Sequence, residues 1–586
     1  METTPGLPHH DPQDLRRRLR DELAGNRDRA RRDPLSLVLT GAVDRALDDL
    51  IYFADLQDFP RTVAEMTPQL RAAFTTATVE KQSHLLHFAA ELALRLNSLL
   101  PAWNLSNAAR HPQRAGAPLQ VGRIATELLD LVTGLGRESP RAAGDVLAAW
   151  RTDTATRFRA EAAEDPEAEA AAFVGDSITG YIESVGDSVE SSNLRRIADL
   201  RWAGATRTEI SNDYAAFLPY ALLLGASFVT CNPPLIDLAW KAEPGKWDPV
   251  IDSLITAQPE ADGDALARAV TLEIVLANMR RLRPIFLLTE GRMGCVSLQV
   301  NPKRHDAAES MLRDAAAICA ELERRLEGGV PNVVFKLPGT QAGLTACRAL
   351  TGAGIGVTIT VNFGLFQHLP FASAISEGAA IFSTLAHMSG RLAFPVRDEL
   401  LGKLGELSGL GITESQARQA AAWSGVAVLK RLHRCLVRQG IDLSRVKPLI
   451  ASLRVYTDAA YAGLPGPIPD ITEVVGTGIL TVFPNVRRAF DHLPPIPLDG
   501  DRIEAPVPPD VFDVLRYSEI FKQAYWLGPL AAGEAESADM RPAHPLSLED
   551  SAATASWTPV ANTLSEFCKA YDSFVDRIQA RRPRAG

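Results

Sequence analysis

Positive charge is in short supply: 61 Lys and Arg face 71 Asp and Glu, a formal net charge of −10. That balance argues against nucleic acid or an anionic membrane surface as the main partner. No apolar run reaches the roughly 18 residues that a bilayer-spanning helix needs, so no membrane partner is expected. The opening stretch, METTPGLPHHDPQDLRRR, lacks an apolar h-region, so a secretory signal is not expected and a cytoplasmic location is. The six cysteines, at 231, 295, 319, 347, 435 and 568, include no CxxC pair. Scattered thiols suit a reducing compartment better than a disulfide framework or a zinc site, and no metal or cofactor is expected. His9 and His10 are adjacent histidines in a charged tail and form no ligand set.

What is present is an ordinary globular composition, 46% hydrophobic and 23% charged, over 586 residues. That length suggests two to four domains, one of which can be an α/β barrel of roughly 250 residues. Residues 1–35 are rich in Arg and Asp and read as a flexible, charged start. Residues 36–195 read as a helical accessory region. Leu37 to Leu56, Val79 to Leu100, Val121 to Leu135 and Ala142 to Phe158 carry apolar residues at spacings of three and four. This region contains no chemical motif and is expected to serve accessory packing or homo-oligomer formation.

The pattern changes near residue 197. Short apolar runs alternate with helical stretches at Ser227–Cys231, Cys295–Val300, Val333–Leu337, Ile355–Val361, Ala379–Ser383, Pro448–Leu453 and Val474–Phe483. With a first strand placed near Leu200–Ala203 these make eight. Eight strand–helix units predict parallel strands closing into a (β/α)8 TIM barrel over residues 196–495. Residues 496–586 form an extension, Pro-rich at first. It ends in a helix, Val560 to Ile578, whose Leu564, Phe567, Tyr571, Phe574 and Ile578 share one face, expected to pack on the barrel or cover its mouth.

The most informative stretch is Asn332-Val-Val-Phe-Lys-Leu-Pro-Gly-Thr340, a short buried strand closed by a Pro-Gly turn. Lys336 lies within it. A buried lysine either pairs with an anion or loses its proton as desolvation penalises the ammonium. The neutral amine is a nucleophile able to form a Schiff base with a carbonyl. An ion-paired or snorkelling structural lysine is the other reading, and this stretch alone does not separate the two.

Read strand end by strand end, residues 197–491 resemble the transaldolase family of class I, Schiff-base aldolases. Val229-Thr-Cys-Asn-Pro-Pro-Leu-Ile236 resembles the family's TTNPSL segment and puts Asn232 on its active-site asparagine. Phe335-Lys-Leu-Pro-Gly-Thr340 resembles IK(I/L)P-(G/S)-T and puts Lys336 on the Schiff-base lysine. Gly356–Gln367 is similar to N-x-T-L-x-F-S-x-x-Q, which assigns Thr360 to the threonine and Thr358 to the asparagine position. Phe382–Arg391 resembles I-S-P-F-V-G-R with three residues inserted, so Ser383 is the expected serine and Arg391 the first phosphate-binding arginine. Ala451-Ser-Leu-Arg454 resembles A-S-F-R and makes Arg454 the second.

The departures fall on proton transfer. The family's third-strand glutamate is Gln299, which can hold water but cannot accept and return a proton as a carboxylate does. Glutamine there is what the fructose-6-phosphate aldolase branch carries, but its sixth-strand tyrosine position falls on Leu385. The first-strand aspartate should lie near Arg201–Thr206, where no carboxylate occurs, with Asp199 and Asp213 out of register on either side. His387, beside the inferred insertion, is the candidate replacement base, and His368 reads as a helix-surface residue. The resemblance therefore implies transfer of a three-carbon dihydroxyacetone unit from a phosphorylated sugar or related ketone, with a divergent substrate in a specialised biosynthetic pathway. It leaves a fructose-6-phosphate-aldolase-like lyase and a non-catalytic sugar-phosphate-binding scaffold as alternatives.

Overall fold

A computed structural model describes residues 11–30, 33–54, 59–98, 117–528 and 537–582. His9 and His10, the junctions at 55–56 and 99–100, and part of the charged start lie outside the described residues.

Eight parallel strands close in sequence order: β1 Glu209–Asn212, β2 Ala226–Thr230, β3 Cys295–Gln299, β4 Val333–Pro338, β5 Val357–Asn362, β6 Ser383–Met388, β7 Val446–Ala451 and β8 Ile479–Val482. β1 pairs with β8, so the sheet has no free edge. Period-two alternation divides each strand between the barrel interior and the surrounding helices. The interior is unusually polar. At its base Lys447 Nζ donates to Glu209 at 2.6 Å. Above that pair, Ser211, Thr481 and Thr230 form a chain of hydroxyls with spacings of 3.0 and 2.6 Å, and Thr384 donates to Thr358 at 2.9 Å.

Two strands depart from the expectation. Leu200–Ala203 is the end of the helix Asn193–Trp202, and β1 begins at Glu209. A strand reading Glu-Ile-Ser-Asn carries little apolar signal because its inward residues face the polar barrel interior. The sixth strand starts, rather than ends, at Ser383 and continues to Met388.

The helices before the barrel include Val79–Ser98, Ala117–Glu138 and Pro140–Ala160, as the periodicity predicts, and also Phe59–Thr76 and Ile178–Ser191. The first described helix, Pro12–Ala30, buries Leu15, Leu19 and Leu23. Arg20 Nε of that helix donates to Glu290 at 2.9 Å, beside the start of β3, so the helix is docked at the base of the barrel.

The last helix, Thr558–Gln579, buries the predicted face: Leu564, Phe567, Tyr571, Phe574 and Ile578. It is pinned by Arg577, whose guanidinium lies 3.8 Å over the Trp240 ring, and by a 2.8 Å bond from Lys303 to Asp572. Burying five large apolar side chains at roughly 1.5–3 kcal/mol each makes this a fixed part of the barrel mouth. All six cysteines are free. Among the described residues no helix is long and apolar enough to cross a membrane.

Candidate active site

A cavity of about 470 Å³ opens at the C-terminal ends of the strands, where barrel chemistry is built. Lys336, inward on β4, is 6% exposed, and its Nζ donates to the Cys231 carbonyl at 3.3 Å. Burial lowers its pKa, the Asp213 charge works the other way, and Arg391 depresses it further. The amine is thereby biased toward the neutral, nucleophilic form.

Asp213 follows β1 directly and lines the same cavity. It accepts from Thr230 Oγ1 at 2.7 Å. Burial raises its pKa from the ordinary aspartate value, opposed by the positive charge of Lys336. The expectation that no first-strand carboxylate reaches the site is thus corrected. With β1 at Glu209–Asn212, Asp213 stands where the strand delivers its next inward side chain.

Asn232 and Thr360 also line the cavity. Asn232 caps the helix Pro233–Ala242 by accepting from Leu235 N at 3.0 Å, which holds its side chain at the strand end. Thr360 Oγ1 faces Met388 Sδ at 3.6 Å. Thr358 pairs with Lys336 in the β4–β5 ladder but accepts from Thr384, outside the cavity lining. Gln299 lies opposite Lys336 in the β3–β4 ladder, its Oε1 buried with no hydrogen-bond partner. The space it lines is a separate cavity of about 190 Å³, shared with Asp264, Arg268 and Tyr571.

Ser383 and His387 are not brought to the cavity. Ser383 is fully buried at the start of β6, accepting from Val357 N at 3.1 Å. His387 alternates out of the barrel while Ala386 and Met388 point in. It is fully buried, with Nδ1 3.2 Å from His368 Nε2, and His368 Nδ1 is 2.9 Å from Asn362 Nδ2. His368 is therefore a core residue, not a surface one. No insertion is needed: matched without a gap, I-S-P-F-V-G-R covers Leu385–Arg391. The serine position then holds Ala386, and the tyrosine position moves from Leu385 to Met388.

Burial drives the His387 pKa down to about 3 and that of His368 well below its usual value. Both are neutral in the fold. The stability tied to them is present above the unfolded value of about 6.5 and is lost as pH falls through the folded values. Replacing His387 with glutamine is expected to cost about 1–3 kcal/mol, because it disturbs a buried polar chain. Imine trapping at Lys336 should be unaltered. Urea unfolding and borohydride trapping measure the two effects separately; loss of trapping in a stably folded variant would return His387 to the chemistry.

Two arginines line the far wall. Arg454 follows β7, with its backbone N–H donating to Asp470 at 3.0 Å and its Nε buried without a partner. Asp470 also accepts from Ser389 Oγ at 2.5 Å, tying the Arg454 loop to the start of the helix Ser389–Gly402. Burial raises the Asp470 carboxyl to about 6. Gly390 is required at this junction, since a Cβ would stand 2.3 Å from Ser452 O and 2.6 Å from Arg454 Cγ. Ser452, lining the cavity, holds φ +59, a conformation that costs on the order of 1–3 kcal/mol and marks a constrained site.

Arg391 is engaged from the opposite side. Its two terminal nitrogens donate to the two carboxylate oxygens of Glu566 at 2.5 Å each. Glu566 belongs to the last helix and itself lines the cavity. Nothing in the strand-end motifs indicates this contact. The only sequence signal for it is the apolar face of that helix.

Residues 210–442 match the family described as transaldolase/fructose-6-phosphate aldolase. The chain is 30% identical over 285 residues to transaldolase 1 of Streptomyces coelicolor, covering 45% of this chain and 69% of that protein. It is 28% identical over 262 residues to a transaldolase of Thiobacillus denitrificans, covering 43% and 66%. It is also 28% identical over 200 residues to transaldolase 1 of Streptomyces avermitilis, covering 33% and 49%. The chain thus spans about half the length of the last of these and about two thirds of the other two.

Proposed function

The chain belongs to the transaldolase/fructose-6-phosphate aldolase family, and from that premise we propose that it transfers a three-carbon dihydroxyacetone unit through a Schiff base on Lys336. The donor is a ketose or related hydroxy-ketone. Lys336 Nζ adds to the ketone carbon, and the carbinolamine loses water to give the imine. Asp213 accepts the proton of the hydroxyl carried by the far carbon of the bond to be broken, the carbon that becomes the aldehyde. That bond cleaves, an aldehyde leaves, and its electron pair remains on Lys336 as an enamine. Addition of the enamine to an acceptor aldehyde, with return of the proton, then hydrolysis, completes the transfer. Gln299 and Thr360 hold the water that relays protons, Asn232 holds a substrate hydroxyl, and Arg454 meets the distal end of the substrate.

The observation that carries this reading is the pair formed in one enclosed cavity by a buried lysine of lowered pKa and an aspartate of raised pKa. Such opposed shifts at strand ends are how a site keeps a nucleophile and a base ready together. The proton-transfer outfit is one carboxylate short of the family pattern at Gln299, so a divergent substrate in a specialised pathway is part of the proposal. The test is product analysis with a ketose donor, with and without an acceptor aldehyde. Carbon transfer that depends on the acceptor supports the proposal. Release of free dihydroxyacetone at the same rate without acceptor would make the protein a lyase.

A further inference from the structure

Family arginines that hold a substrate phosphate must be free to offer it their N–H groups. Arg391 offers only part of its donor set: one N–H of each terminal nitrogen is taken by an oxygen of Glu566, a fork-to-fork pair that matches how a guanidinium binds an oxyanion. The Arg391 guanidinium also lies 5.3 Å over the ring of Phe567, the next residue of the same helix. Phe567 is 1% exposed, and Arg577 and Asp572 tie the helix to the barrel. Glu566 is therefore presented by a docked element and not by a loose loop.

Arg391 and Arg454 bring two positive charges to this wall, and Glu566 cancels one. A phosphate dianion arriving here would meet one net positive charge with a carboxylate beside it, and that like charge opposes its binding. The Arg454 Nε is buried against Gly390, so contact of Arg454 with a substrate oxygen falls to its terminal nitrogens.

We propose that Glu566 is a specificity-determining residue that stands in for the substrate phosphate, so that the donor is an unphosphorylated hydroxy-ketone. The proposal rests on the Schiff-base reading for the identity of the donor. It rests on the Arg391–Glu566 contact alone for the exclusion of phosphate.

Two measurements on the full chain keep those parts separate. In the first, the half-saturating concentrations of fructose and of fructose 6-phosphate are determined by borohydride trapping in wild type and in Glu566→Gln. The variant is expected to shift preference toward the phosphorylated ketose by about tenfold or more. An unchanged preference, or a wild type that already favours fructose 6-phosphate, overturns the proposal. In the second, calorimetry with inorganic phosphate needs no imine. Binding should be stronger in Glu566→Gln and in Glu566→Ala than in wild type, and equal binding in all three contradicts the exclusion. The Glu566 side chain is 53% exposed, so both variants should keep the helix docked, which thermal unfolding checks. Phosphate binding that strengthens while no ketone is trapped would leave the Glu566 inference standing and sink the Schiff-base reading.

Discussion

Replacing Lys336 with methionine is expected to abolish covalent capture of a ketone and to reduce carbon–carbon bond exchange by at least about 10⁴-fold. Methionine fills similar volume in a strand whose every residue is buried, so the fold should survive the change. Among the described residues lining the cavity Lys336 is the only amine, and the guanidinium groups of Arg391 and Arg454 do not form imines with ketones. The pH profile of trapping adds a second readout. Burial lowers the Lys336 pKa, so half-maximal trapping should come below the ordinary lysine value of about 10.4. The Asp213 charge supports the ammonium, so removing it should lower that midpoint further.

Asp213→Asn separates two steps that Lys336→Met removes together. Imine formation needs an amine and only a modest proton donor, so ketone trapping should persist. Cleavage needs a base at the hydroxyl, and loss of a positioned carboxylate should slow turnover by about 10²–10⁴-fold. Asparagine can still accept from Thr230, so the 2.7 Å contact that orients the side chain is retained and the loss reports on proton transfer. Comparing trapping with acceptor-dependent turnover checks this. Equal loss of both would mean that Asp213 serves only to place Lys336.

What was legible in the chain follows from which residues the barrel exposes to water and which it hides. β4, β5 and β7 are apolar on their helix-facing side, and the strand-end motifs of these and of β2 pick out Asn232, Lys336, Thr360 and Arg454 in the right order. β1 was missed because its inward residues, Glu209 and Ser211, satisfy partners across the barrel, Lys447 and Thr481. A polar strand of this kind has no hydrophobic signature, and misplacing it hid Asp213. β6 was displaced because the apolar Ala379–Phe382 precedes it, while Thr384 and His387 within it resemble loop residues. Once its limits are known, simple alternation sends His387 outward and Ala386 inward. Glu566 was illegible for another reason. On an amphipathic helix it reads as a solvent-facing charge, and only the docked position of Phe567 turns it toward Arg391.

The proposed chemistry turns on one covalent bond, and reduction of the intact protein with borohydride in the presence of dihydroxyacetone detects that bond. Peptide mass spectrometry should find a reduced three-carbon adduct on Lys336 and on no other lysine. An unmodified Lys336 under conditions that label other lysines, or no adduct at all, would contradict it.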